Sequence, residues 1–293
     1  MSIAEEPDPT PPLPESPRAA EGPFKRDHDG GFGTIGPFYA EDATFPKGFW
    51  HSVDYLLQHP QMVLDSIVHD RDLWRLKGTF LVVSIFMCSV YGATMGATNL
   101  LQGSTMPLYG KFAMVAITSF KVTTLLLLTL VIVIPPIYVS NAFVGSRFSF
   151  KQLVALLLAG CAVTSTVLAS LATVAFFFSL TTSSYYFVKL MHVAFFVYAG
   201  ALGLQFVMTA FRAVAFQTGR HLNYGLVFLW ILLYAFVGTQ LAWVMRPFIG
   251  RPDMAVTIFR EREGNFYENI ADSFSKFMEG RPQRSEQKPP AKR

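Results

Sequence analysis

The sequence predicts an all-α fold, a polytopic integral membrane helix bundle with about five transmembrane helices. Three observations carry that expectation. The 293-residue chain is 52% hydrophobic and only 15% charged, where an ordinary soluble domain holds roughly 25% charged residues. The deficit is concentrated, because the 180 residues from Leu73 to Pro252 contain neither Asp nor Glu and all 20 acids lie in the flanking segments. A soluble fold could not cover its surface over such a length, whereas a bilayer makes the distribution natural: a carboxylate at mid-membrane costs about 2.5 to 3.5 kcal/mol on insertion scales. The same stretch also divides into apolar runs of about twenty residues or more, the length that crosses about 30 Å of hydrocarbon.

Residues 1–48 form a Pro-rich acidic tail, with seven prolines in the first 23 positions. So little apolar surface cannot offset chain entropy, and the tail is expected to be disordered. Pro9 to Pro12 and Pro11 to Pro14 fit a PxxP pattern suited to an SH3-like partner. The opening lacks a basic leader and an apolar core, so the first spanning helix is expected to direct insertion itself.

Residues 49–77 are expected to be an interfacial amphipathic segment. Phe49, Trp50, Val53, Leu56 and Leu57 recur at helical spacing, Pro60 interrupts, and Met62, Val63 and Ile67 resume the pattern. The transmembrane bundle, 78–245, is then read as five spans: Gly78–Thr98, Thr118–Val139, Gln152–Phe178, Val188–Phe211 and Tyr224–Met245. Pro135-Pro136 is expected to kink or end the second. Residues 99–117 and 179–187 read as loops rich in Ser, Thr, Gly and Tyr. Residues 246–280 are polar and contain an amphipathic helix, with Phe266, Ile270, Phe274 and Phe277 among Glu268, Asp272, Lys276 and Glu279. Residues 281–293 form a basic tail expected to be disordered.

Arg71, Arg75, Lys77, Arg147, Lys151, Arg212 and Arg220 fall on one side of an alternating topology, which places the N-terminus in the cytoplasm. Arg246, Arg251, Arg260 and Arg262 fall on the other side and oppose that orientation.

The residues singled out as a site are basic. Lys121 near the start of the second span, Lys189 and His192 near the start of the fourth, and Arg246 at the end of the fifth share one side and a similar depth. No acid within the spans can neutralise them. They either snorkel into the headgroup layer, converge on an anion such as a lipid phosphate or an acidic solute, or pair with tail acids such as Glu261, Glu263 or Glu268. Gly92 and Gly96 form a GxxxG, and Ala162, Thr166, Ser170, Gly200 and Gly203 add small residues. These suit close packing within the bundle or a homodimer contact.

Other chemistries are set aside. No carboxylate relay lies within the spans. His192, His221, Cys88 and Cys161 do not make a metal-ligand set. No nucleotide-binding or zinc-hydrolase motif appears. The expectation is therefore a non-enzymatic chain with no catalytic residues, no metal, no cofactor and no nucleic-acid partner. The lipid bilayer, anionic lipid and a protein bound through the tails are its expected partners.

Two segments carry a resemblance. One is Phe120-Lys121-Val122 through Leu125 to Thr129, then Pro135, Tyr138, Asn141 and Gly145. The other runs from Gln240 through Trp243, Arg246-Pro247-Phe248 and Gly250, then Phe259-Arg260 and Asn265 to Glu268. They resemble a poorly characterised bacterial family of multi-spanning membrane proteins. The layout of five spans behind a Pro-rich tail is also loosely similar to Yip-family membrane proteins. The first resemblance covers roughly residues 50–278 and implies a membrane bundle in a bacterial cytoplasmic membrane, with no activity attached. The expected function is that of a scaffold, assembly or trafficking component, with a small transporter or channel for an anionic solute or lipid as the alternative.

Overall fold

The computed structural model describes residues 48–101, 107–143, 149–182, 184–217, 224–245 and 266–278. They fall within one compact unit, Ala40–Arg293, and form eight helices. These are α1 (Phe49–Gln58), α2 (Pro60–Val68), α3 (Leu73–Leu101), α4 (Leu108–Phe143), α5 (Phe150–Thr181), α6 (Tyr185–Gln217), α7 (Tyr224–Val244) and α8 (Phe266–Met278). No strand occurs among the described residues. Four helices, α3 to α6, are long and apolar enough to cross a membrane. The fold is the expected all-α polytopic bundle. Helix α7 has 21 residues, and its described apolar stretch, Phe228–Val244, is shorter than the other four. The tails at 1–47 and 279–293 and the segment 246–265 lie outside the described residues.

Local chemistry sets the helix ends. Pro60 opens α2, where its missing N–H costs nothing. Ser149 and Gln152 form a capping box at the start of α5: the Ser149 hydroxyl accepts from the Gln152 amide at 3.3 Å, and the Gln152 carboxamide oxygen accepts from the Ser149 amide at 2.9 Å. The Gln152 Nε2 donates to the Val68 carbonyl at 2.7 Å and ties α5 to the end of α2. Asp70 and Asp72, with φ of 58° and 47°, turn the chain from α2 into α3, a conformation Asp tolerates better than most residues. The Asp65 carboxylate, buried beside this turn, lies 3.6 Å from the Arg71 guanidinium and 2.9 Å from the His69 ring. Burial, and after it the Asp65 charge, push the half-buried Tyr55 phenol above its ordinary range.

Helix α5 is the centre of the packing, in contact with α3, α4 and α6, while α7 packs on α4. Glycines set the closest approaches. A Cβ on Gly92 would lie 2.6 Å from the Ser119 Cα, and one on Gly96 would lie 2.7 Å from the Val115 Cα. The GxxxG of α3 is thus consumed by the antiparallel contact with α4. A Cβ on Gly203 would lie 2.0 Å from the Thr164 hydroxyl and 2.7 Å from the Gly160 carbonyl, which seats α6 on α5. Where hydrocarbon surrounds the helices, such close packing is what holds them together.

Three sequence expectations change. Helix α4 runs unbroken through Pro135-Pro136 to Phe143. Pro removes backbone donors, but helices packed around a spanning segment sustain it. One turn beyond the prolines, the Ser140 hydroxyl donates to the Pro136 carbonyl at 2.7 Å and accepts from the Trp230 indole at 2.6 Å, which ties this part of α4 to α7. Residues 108–117, read as loop, are the first turns of α4, because this stretch, with Leu108, Phe112, Ala113, Met114, Val115, Ala116 and Ile117, holds a single Gly and no Pro to break it. Only Thr182 to Ser184 separate α5 from α6, where a nine-residue loop was expected.

Helices α1 and α2 follow the predicted interruption at Pro60, and they are packed onto the bundle. Val53, Leu56, Val63, Leu64 and Ile67 are buried against it. The Phe49 ring meets Phe86 at 5.1 Å, thirteen residues and so roughly 20 Å along α3.

Candidate functional site

Tyr91 of α3, Lys121 of α4 and His192 of α6 are buried in the half of the bundle where α3 finishes and α4 begins. Ser89 and Thr123 hydroxyls meet at 3.2 Å, and Gly92 faces Thr118 and Ser119. This antiparallel register puts Lys121 of α4 at the level of Tyr91 in α3. Tyr91 is wholly buried, and its hydroxyl lies 2.6 Å from Nδ1 of His192 in α6. The two rings meet edge to face at 5.6 Å, and Phe196 packs on Tyr91 at the same distance. Lys121, Tyr91 and His192 therefore share one depth.

Lys121 is 5% exposed and His192 is 2% exposed. The expectation that both sit at span ends, able to snorkel, does not hold for them. Helix α4 begins ten residues earlier than predicted, so Lys121 lies thirteen residues in, roughly 20 Å along the axis. His192 lies seven residues into α6, roughly 10 Å. When Tyr91 donates to Nδ1, the ring's own proton sits on Nε2, which is buried with no hydrogen-bond partner among the described residues.

Lys189 lies one turn closer to the start of α6. Its ammonium donates to the Ser273 hydroxyl of α8 at 2.7 Å. Ser273 is buried, and α8 packs on α6 and α7. The tail thus does fold back onto this end of the bundle, with a hydroxyl meeting Lys189 where a carboxylate from Glu261, Glu263 or Glu268 was one expectation. Arg246 lies outside the described residues, as do Glu261 and Glu263. Tyr91 and Ser273 were not singled out from the sequence. Tyr91 had one signal: a buried histidine requires a hydrogen-bond partner.

A cavity of about 60 Å³ lies elsewhere, between α4, α5, α6 and α7. Gly160, Cys161, Gly200, Gly203 and Trp230 are among the residues that line it, with Leu130 and Ile137 on the α4 side. Leu130 is nine residues beyond Lys121, roughly 13 Å along α4. No group of three or more metal-ligating side chains occurs among the described residues.

No protein-family sequence model, no characterised protein and no solved structure matches this chain at a significant level.

Proposed function

We propose that this membrane protein is a non-enzymatic scaffold, assembly or trafficking component of a bacterial cytoplasmic membrane. In this role it acts through the helices and tails that flank its bundle. The observation that carries this is the arrangement of α1, α2 and α8. All three are docked on the bundle; α2 has no exposed residue, while α1 and α8 keep an outer face exposed, with Trp50, Leu57, Tyr267, Phe274 and Met278 pointing away. The alternative role in transport of an anionic solute or lipid has less support: α4 is continuous across its two prolines, and the cavity is apolar and distant from Lys121. The two resembling segments support bacterial origin, and the basic residues beside α3 support a cytoplasmic N-terminus.

We take α7 as the fifth crossing. It runs antiparallel to α4, with Trp230 on Ser140 at one end and Gly238 beside Thr129 at the other. At 21 residues it measures about 30 Å. Five crossings put Lys121, Lys189, His192 and Arg246 on the side opposite the N-terminus. A second role, retention of an anionic lipid headgroup there, draws support from the buried Lys121 in a stretch without acids.

One purification tests both roles. The full chain should co-purify with a protein partner, and chains lacking 1–48 or 265–293 should lose it. Retention of the partner after both deletions contradicts the scaffold role. Lipid extracted from the Lys189→Gln and Arg246→Gln variants should be depleted in anionic species. Unchanged lipid contradicts the headgroup site.

A further inference from the structure

Helix α8 presents more apolar surface than its dock covers. Ser273 is 1% exposed against α6, yet Tyr267, Phe274 and Met278 are 55%, 56% and 70% exposed. With Ala271, which is also exposed, they stand at i, i+4, i+7 and i+11, one stripe along one side of the helix. Glu268 and Ser275, both exposed, lie on the adjoining side. A stripe of large apolar side chains beside a polar face calls for a second apolar surface.

Position identifies that surface. The Lys189–Ser273 contact lies four residues inside α6, and the Tyr267 hydroxyl lies 3.5 Å from that of Thr239, five residues inside the end of α7. These are roughly 6 and 8 Å from the helix ends. Helix α6 has 33 residues and measures about 50 Å, so when centred in about 30 Å of hydrocarbon it overhangs by about 10 Å on each side. Measured on α6, α8 therefore lies where hydrocarbon meets headgroups. Phe236 and Leu232 of α7 and Val197 and Tyr198 of α6 are exposed as well, so the helices that α8 packs on also present apolar side chains outward.

We propose that α8 is an interfacial membrane-binding helix: Tyr267, Ala271, Phe274 and Met278 are seated in the acyl boundary of the bilayer while Ser273 holds the other side to Lys189. The partner is a lipid surface. It is recognised by apolar burial and by an aromatic hydroxyl at headgroup depth, not by charge, since the helix carries two acids and one base, Glu268, Asp272 and Lys276. This rests on the bundle's place in a bilayer, and it gives the outer face of α8 to lipid, which leaves α1 and the tails for the scaffold role.

Nitroxide labels on the full chain in vesicles test it. Phe274→Cys and Ser275→Cys sit on neighbouring exposed sides, and the native Cys88 and Cys161 are both buried. Signal from the unsubstituted chain is subtracted. In phosphatidylcholine vesicles the label at 274 should collide several-fold more with oxygen than with a water-soluble nickel chelate, and the label at 275 should show the reverse. The contrast should persist when phosphatidylglycerol is added. Nickel access at 274 places the stripe in water and overturns the proposal. Low collision with both reagents means that protein covers it, and overturns it equally. A contrast that appears only with phosphatidylglycerol overturns the recognition by apolar burial. Loss of co-purifying protein on deletion of 265–293 with the labelling contrast intact separates the lipid seat from the scaffold role.

Discussion

At the scale of single residues, the closest backbone approaches and the buried polar pair make the sharpest predictions. Gly92→Ala and Gly96→Ala drive a methyl group into the backbone of α4, which cannot retreat as a side chain could. Each should lower stability by about 1 to 3 kcal/mol, the usual cost of overpacking. Gly78→Ala and Gly200→Ala meet nothing within 4 Å, and gain from the better helix propensity of Ala, about 0.5 to 1 kcal/mol. Thermal unfolding in detergent should therefore order the four variants in two groups, and equal losses in all four would contradict the packing. Tyr91→Phe strips His192 of its partner and leaves a buried ring nitrogen unsatisfied, at about 1 to 3 kcal/mol. His192→Phe alone leaves the Tyr91 hydroxyl unsatisfied in the same way. Combining the two should cost less than the sum of the single changes by about 1 kcal/mol, a coupling that a double-mutant cycle reads directly. Strict additivity would mean the two side chains do not share a bond.

At the scale of helices, the sequence was legible where one physical signal dominated. Long acid-free apolar runs located the four helices that are long and apolar enough to cross a membrane among the described residues, and the spacing from Phe49 to Ile67 around Pro60 located α1 and α2 with their break. The ends were less legible, since Gly110 and Lys111 fall in a stretch read as loop and yet continue α4. That error misplaced Lys121, which sits deep in α4 and not at its rim. Pro135-Pro136 illustrates the same limit: helix α4 continues through a local breaker, in a part of the bundle held by contacts such as Trp230 on Ser140, which join residues ninety positions apart. Tyr91 and Ser273 were not legible as partners of His192 and Lys189 for that reason. Their roles exist only once α3, α6 and α8 are brought together, and no local spacing records this. The amphipathic pattern of α8 was legible, but which half of its apolar arc meets the bundle was not. The labelling contrast between positions 274 and 275 belongs at this scale.

At the scale of the whole molecule, the distribution of charge organises everything else. A chain that confines all its acids to its flanks leaves Lys121, Lys189 and His192 without a carboxylate anywhere in the 180 residues around them. A counter-charge for the two lysines would come from the tails, from lipid or from solution, and α8 already reaches Lys189 from the tail side. The antiparallel register of α3 with α4 and of α4 with α7 gathers these residues at one end of the bundle, away from Arg75, Lys77 and Lys151. Lys121, Lys189 and His192 share one side of the membrane whether or not α7 crosses, and Arg246 joins them only with an odd number of crossings. A compartment-sensitive reporter fused after Arg293 and, separately, before Ser2 measures this most directly. Five crossings place the two reporters on opposite sides of the membrane. Both reporters on the same side would mean that α7 does not cross, and would contradict the account at its centre.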